Sequence, residues 1–218
     1  MPIFALDHQL SFPPPHLAEP DGLLAMGGDL SIERLLLAYR NGIFPWYDSD
    51  PILWWSPDPR FVIFPAEFKI SKTVKQLIKR QEFEFTVNKA FDEVIDACSS
   101  IFREGQDGTW INDEMMEAYI KLHAAGYAHS AEVWKDGELV GGLYGIRIGK
   151  VFFGESMFSR VSNASRYAFA KYMEQLKEEG VGLIDCQVHT PYLESMGARM
   201  IEGAEFHRLL KELLGAAS

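Results

Sequence analysis

Cysteine is almost absent from this 218-residue sequence: Cys98 and Cys186 are the only two, far apart, with no CxxC pair and no histidines at ligand spacing. A disulfide framework is excluded, no zinc motif is present, and both residues read as reduced thiols with no metal expected. No stretch approaches the roughly 18 apolar residues of a membrane span. The start, Met1-Pro2-Ile3-Phe4-Ala5-Leu6-Asp7, lacks the basic and apolar regions of a secretory leader. A soluble, cytoplasmic protein without a membrane partner is expected. Positive charge is also scarce: 21 Lys and Arg stand against 31 Asp and Glu, a net charge of -10. An unspecific nucleic-acid coat is excluded, DNA is not an expected partner, and any nucleic-acid contact must be a local patch.

What is present is enough for a full core. The chain is 47% hydrophobic and 13% aromatic, sufficient for one large or two small domains. One basic patch stands out. From Lys69 to Arg80 there are five basic residues and no acidic one, and Ser71 is placed to cap a helix. On that helix Lys72, Lys75 and Lys79 share a face while Val74, Leu77 and Ile78 point inward. Such a face, with Arg80 beside it, is either simply solvated or a phosphate site.

The first sixty residues are rich in Pro, Gly and Trp. Ser31 can cap a helix ended by Asn41-Gly42, followed by aromatic loops or short strands around Trp46 and Trp54-Trp55. A small N-terminal α/β domain over residues 1–62 is expected, then a second domain over 63–218. In the second, Arg60 to Phe64 reads as a strand, the basic helix follows, and Phe83 to Val87 alternates as a strand. Asn88 is expected to cap one helix and Asn112 another. His129 to Lys135, Glu138 to Ile148 and Val151 to Met157 form an antiparallel meander, its first turn set by Asp136-Gly137. A helix from Asn163 to Glu179 leads to a strand, Gly182 to Gln187, and a short strand and helix close the chain.

Meander, helix, strand, helix is the core order of the N-acetyltransferase-like (GNAT) fold, so the expected class is α+β with a mixed GNAT-like sheet. In that fold the strand after the helix runs parallel to the last meander strand and splays from it, opening a cleft. Two polar interruptions of apolar runs fall there, Gly154-Glu155-Ser156-Met157 and Asp185-Cys186-Gln187. Polar groups in such runs are costly unless hydrogen-bonded or used. Strict alternation would put Glu155 with Met157, and Asp185 with Gln187, while Cys186 turns to the opposite face as a core residue. The segment before the long helix, Phe158 to Ser165, has no glycine to admit a pyrophosphate, which disfavours coenzyme A.

Four further blocks sharpen this reading, beside Gly154-Glu155-Ser156-Met157-Phe158: Gly22-Leu23-Leu24-Ala25-Met26-Gly27-Gly28-Asp29-Leu30-Ser31, Gly42-Ile43-Phe44-Pro45-Trp46, Leu53-Trp54-Trp55-Ser56-Pro57-Asp58-Pro59-Arg60 and Gly141-Gly142-Leu143-Tyr144-Gly145. With Asp185-Cys186-Gln187 they resemble, in order and over nearly the whole chain, the leucyl/phenylalanyl-tRNA–protein transferase family. The resemblance implies transfer of Leu or Phe from Leu-tRNA or Phe-tRNA to proteins with N-terminal Arg or Lys, which creates an N-degron, with no cofactor beyond the tRNA substrate. It places Gln187 at the attacking amine with Asp185 polarising it; Asp185 is the expected carboxylate that accepts a proton from the amine or orients it, and Glu155 would hold the donor's free amino group or the attacking amine by a charge-assisted bond. Leu143, Phe152, Met157 and Ile184 would line the Leu/Phe pocket, with Phe169, Tyr172 and Leu176 as its facing wall. Trp46 and Trp110 match the adenine-binding tryptophans, and Lys72, Lys75, Lys79 and Arg80 would meet tRNA phosphates. Two other readings are a peptidoglycan-type aminoacyl-tRNA-dependent peptidyltransferase, which usually duplicates this domain, and a non-catalytic tRNA- or degron-binding module.

Overall fold

In the computed structural model, which describes residues 3–100 and 111–215, the Trp- and Pro-rich start pairs into a small sheet. Strands β1 (Phe4–Leu6), β2 (Leu23–Gly27), β3 (Phe44–Pro45) and β4 (Leu53–Trp55) lie in the order β1-β2-β4-β3, with helix α1 (Ile32–Arg40) between β2 and β3. Ser31 caps α1 by accepting from the Arg34 amide at 3.4 Å. Trp54 is fully buried beneath this sheet and donates its indole N–H to the Gly27 carbonyl. The pairing exceeds the loops or short strands expected, because three-residue strands leave almost no periodic signal.

The second sheet has seven strands in the order β11-β5-β10-β9-β8-β7-β6. Its elements along the chain are β5 (Arg60–Ile63), α2 (Lys72–Arg80), β6 (Glu84–Val87), α3 (Phe91–Ser100), α4 (Asp113–Ala124), β7 (Ala128–Lys135), β8 (Glu138–Ile148), β9 (Val151–Ser159), α5 (Ala164–Glu178), β10 (Leu183–Gln187), α6 (Pro191–Glu194), β11 (Arg199–Ile201) and α7 (Gly203–Leu213). The meander β7-β8-β9 is present, and Asp136 and Gly137 both take positive φ, as a type I′ turn demands. Strand β10 runs parallel to β9, pairing Leu183 with Val151, Ile184 with Phe152 and Asp185 with Phe153. Beyond Phe153 the two separate, which is the expected splay. The boundary expected at residue 62 falls inside β5, all four of whose residues are buried in the larger sheet. Among the described residues no helix is long and apolar enough to cross a membrane.

Two cores flank this sheet. Residues of α1, α3, α4 and α7 cover one face, and α5 with α2 covers the other. Ser71 and Asn112 cap α2 and α4 as expected, accepting from the Val74 and Met115 amides. Asn88 does not cap α3. It sits at φ 57 with its side-chain oxygen on the Ser130 amide, tying the end of β6 to β7 instead.

Candidate active site

Two β-bulges set the site. Opposite β8, Leu143 pairs with Met157 and Tyr144 with Ser156, but Gly145 pairs with Gly154, so Glu155 is the extra residue. Phe152 and Met157 consequently share the α5 face, and Phe153 and Phe158 the other. Strict alternation therefore fails here: Glu155 and Met157 do not share a face. On β10 the register against β5 slips between Asp185 and Gln187, and Gln187 adopts φ 64. A bulge re-aims side chains in this way at the end of a paired segment.

The splayed strands open a cleft of about 470 Å³. Its apolar walls include Leu143, Phe152, Met157, Phe169 and Ile184, with Phe44 and Trp46 from the small sheet. Met157 and Trp46 are half-buried; Leu143, Phe152, Phe169 and Ile184 are buried. Tyr172 and Leu176 are not part of this wall. Both lie in the core behind it, where Tyr172 packs edge-on against Phe152 at 5.3 Å, because only one turn of α5 reaches the splay. Trp110 lies outside the described residues. Lys72, Lys75, Lys79 and Arg80 are on the outer face of α2, which packs on α5.

Glu155 and Gln187 meet in the cleft, Gln187 Nε2 donating to Glu155 Oε1 at 3.0 Å. Tyr39 from α1 and Tyr119 from α4 also donate to this carboxyl, at 2.8 Å and 3.1 Å. Burial pushes Glu155 up to about 7; the Tyr39 and Tyr119 hydroxyls pull it down, the Asp185 charge pushes it up, and Gln187 pulls it down. Burial, followed by the charge of Glu155, drives both tyrosines well above the usual phenol range.

Asp185 is not in the cleft. It is fully buried, held by Arg60 through Nε–Oδ1 at 2.8 Å and Nη2–Oδ2 at 2.7 Å. The guanidinium is itself sandwiched between the Phe44 and Phe206 rings, 4.8 and 4.7 Å from their centroids. Asp185 Oδ1 accepts the Gln187 backbone N–H at 2.9 Å. This corrects the expected direct contact between Asp185 and the amine: the carboxylate acts on Gln187 through the backbone it fixes. Cys186, between them, is buried, and burial with the Asp185 charge pushes its thiol far up, so it is no nucleophile.

Three residues with a part in this geometry lie outside the sequence-based expectation. Arg60 carries a signal, as an arginine inside the apolar strand Arg60-Phe61-Val62-Ile63. Tyr39 and Tyr119 carry none, because each looks like an ordinary core tyrosine on an amphipathic helix. Among the described residues no group of three His, Cys, Asp or Glu side chains is placed to hold a metal ion.

Residues 62–211 match the family "Leucyl/phenylalanyl-tRNA protein transferase", and residues 28–58 match that family's N-terminal domain. The chain belongs to the leucyl/phenylalanyl-tRNA protein transferase family. Proteins so named from Syntrophobacter fumaroxidans and Flavobacterium johnsoniae are 55% and 54% identical to it. The first alignment covers 97% of this chain and 91% of the relative, and the second 96% and 99%. A GCN5-related N-acetyltransferase from Kribbella flavida is similar over 76% of this chain and 59% of its own, at 12% identity and a TM-score of 0.41. The transferase fold assignment rests on strand order, with β10 parallel to β9 and splayed from it after Phe153.

Proposed function

We propose that this protein transfers Leu or Phe from aminoacyl-tRNA to the α-amino group of proteins beginning with Arg or Lys, in the cytoplasm, marking them with an N-degron. One observation carries the reading: an apolar cleft that ends on a hydrogen-bonded Glu155–Gln187 pair, in a chain of this family. The reaction is ester aminolysis. The amine nitrogen attacks the carbonyl carbon of the aminoacyl ester, the C–N bond forms, and the ribose oxygen of the tRNA leaves. An α-amine with a pKa of about 7.7–8.0 is already neutral in a useful fraction near pH 7, so orientation is worth more than a strong base.

In this assignment Gln187 orients the amine. Its carboxamide has no useful pKa and offers both a donor and an acceptor. Asp185, paired with Arg60, holds Gln187 in its left-handed backbone conformation. Leu143, Phe152, Met157, Phe169 and Ile184 take the donor side chain; Met157 repacks easily, which suits a pocket admitting both Leu and Phe. Branching at Cβ is rejected sterically, by about 1–3 kcal/mol per misplaced methyl. Trp46 stacks on the terminal adenine, and Trp110 is assigned to the same base. The α2 lysines and Arg80 meet tRNA phosphates. No cofactor enters, aminoacyl-tRNA being the substrate.

The test is transfer of labelled Leu from Leu-tRNA to a protein beginning with Arg, with a murein precursor as a rival acceptor. Label is expected on the Arg protein alone, and Gln187→Ala is expected to cut turnover at least tenfold with donor binding retained. Absence of transfer by the folded wild type would end this reading. Transfer to the murein precursor would replace it.

A further inference from the structure

The cleft ends on a closed ring of three polar side chains drawn from separate elements. Tyr39 and Tyr119 hydroxyl oxygens stand 2.5 Å apart, Tyr39 is 2.8 Å from Glu155 Oε1, and Tyr119 is 3.1 Å from Glu155 Oε2. Both tyrosines are fully buried, while Glu155 lines the cleft. We propose that this ring, and not Asp185, carries the proton during aminolysis: ionised Glu155 takes it from the attacking amine and returns it to the departing ribose oxygen, with Tyr39 and Tyr119 as positioning residues. The inference rests on the reaction proposed above.

Counting hydrogens shows why the ring suits this task. When Glu155 is ionised, the two phenolic hydrogens both turn to the carboxylate, one to each oxygen. When it is protonated, three hydrogens serve the three sides of the ring: Glu155 donates to Tyr119, Tyr119 to Tyr39, and Tyr39 back to Glu155. In the ionised state the Tyr39–Tyr119 side of the ring gives up its hydrogen, but each carboxylate oxygen keeps a phenolic donor, so the cost of charging the buried carboxyl is reduced while burial still raises its pKa. Asp185, by contrast, has both oxygens committed to Arg60 and no route to the cleft.

The step balances. One amine proton passes to Glu155 as the C–N bond forms, and that proton passes to the ribose oxygen as the C–O bond breaks. An amide and a free ribose hydroxyl result, Glu155 is again ionised, and nothing else is consumed. The groups facing Glu155 are Tyr39 from α1, Tyr119 from α4, and Gln187 and the Arg60-paired Asp185 from β10; Tyr144 from β8 stands behind Tyr119, edge-on at 5.7 Å. A base working near neutrality should titrate near neutrality, and burial lifts Glu155 to about 7 while the hydroxyls restrain it.

Removing one hydroxyl deprives the ionised form of a charge-assisted bond and the neutral form of a weaker one. Glu155 then titrates higher, and more of it is protonated at pH 7. The experiment is the pH profile of kcat for transfer of labelled Leu to an Arg-initiated peptide, corrected for uncatalysed ester hydrolysis. Wild type, Tyr39→Phe, Tyr119→Phe and Glu155→Gln are compared, with a carboxyl carbon-13 titration of the free proteins. Both Tyr→Phe variants are expected to move the acidic limb up by about one pH unit, with the carbon-13 midpoint moving alike. They should therefore be several-fold slower at pH 7 and recover toward wild type at about pH 8.5. Glu155→Gln should be slow throughout and keep only the limb set by the acceptor amine, at about 7.7–8.0. Equal loss at every pH in the Tyr→Phe variants, an unmoved carbon-13 midpoint, or a wild-type profile in Glu155→Gln would overturn the proposal while leaving the transferase reading intact. Absence of transfer by wild type would instead overturn that reading, and this inference with it.

Discussion

At the scale of single residues, the site places two carboxylates in opposite situations on adjacent strands. Among the described residues Glu155 has hydroxyl and amide donors but no cation, and burial holds it up to about 7 against an ordinary 4.5. Because its folded pKa is raised, the native state keeps a proton that the unfolded chain has released between these values. Its contribution to stability is therefore complete below about 4.5 and is lost as pH rises through about 7. Glu155→Gln should accordingly gain stability on wild type between about pH 5 and 8, by up to about 3 kcal/mol, read from urea midpoints at each pH. A constant difference across that window would refute it. Asp185 instead has a buried bidentate arginine. Cutting one partner strands a buried charge, so Arg60→Met and Asp185→Leu should each cost about 3–5 kcal/mol, while the double variant recovers most of it. Turnover should not recover with stability, because the Gln187 N–H is then without its acceptor. A double variant that transfers at the wild-type rate would show that Asp185 has no role in positioning Gln187.

At the scale of elements, the bulges decide what the strands present. Gly145 sits at the β9 bulge, where an added Cβ would stand 2.2 Å from the Phe153 carbonyl oxygen and 2.5 Å from the Phe152 ring. Gly145→Ala must push β9 away, and overpacking of this kind costs about 1–3 kcal/mol. A fall in thermal midpoint together with weaker donor binding is expected; unchanged binding would mean that β9 yields without moving Met157 or Glu155. Legibility in the sequence follows locality. The Asp136-Gly137 turn and the caps at Ser31, Ser71 and Asn112 are readable because each is made within four residues. Asn88 misleads because its partner, Ser130, lies across the sheet. The faces of Met157 and Asp185 relative to their neighbours are not readable either, since a bulge is settled by cross-strand register and alternation assumes there is none. On α2 the lysine face is plain, and its role is testable apart from the cleft. Charge reversal at Lys72, Lys75 and Lys79 should raise KM for the tRNA and leave kcat near normal. The salt slope should fall by about 0.7–0.9 for each phosphate no longer neutralised, and an unaltered slope would return these lysines to the solvent.

At the scale of the whole molecule, the small sheet is a wall of the site, not an appendage. Phe44 and Trp46 line the cleft, Tyr39 reaches Glu155, and Phe44 covers one face of Arg60 while Phe206 of α7 covers the other. Asp58, just before β5, accepts the Gly203 N–H at the start of α7, and Gly42 packs so closely on Phe206 that a Cβ would stand 2.7 Å from its ring. A single buried cluster runs through Leu35, Tyr39 and Trp54 of the first part and Tyr119, Phe153 and Phe206 of the second. Domains that merely touch unfold separately; units sharing one buried core unfold together. We therefore expect one cooperative transition in urea. In protein labelled with 5-fluorotryptophan, Trp54 beneath the small sheet and Trp134 at the far side of the large one report the two parts separately. Their fluorine resonances should lose native intensity at the same denaturant concentration. If Trp54 unfolded first, a state would exist with Tyr39 withdrawn from Glu155 and the cleft missing a wall. Transfer measured at that concentration would then reveal whether Glu155 with Tyr119 alone sustains the reaction once Tyr39 has left the ring.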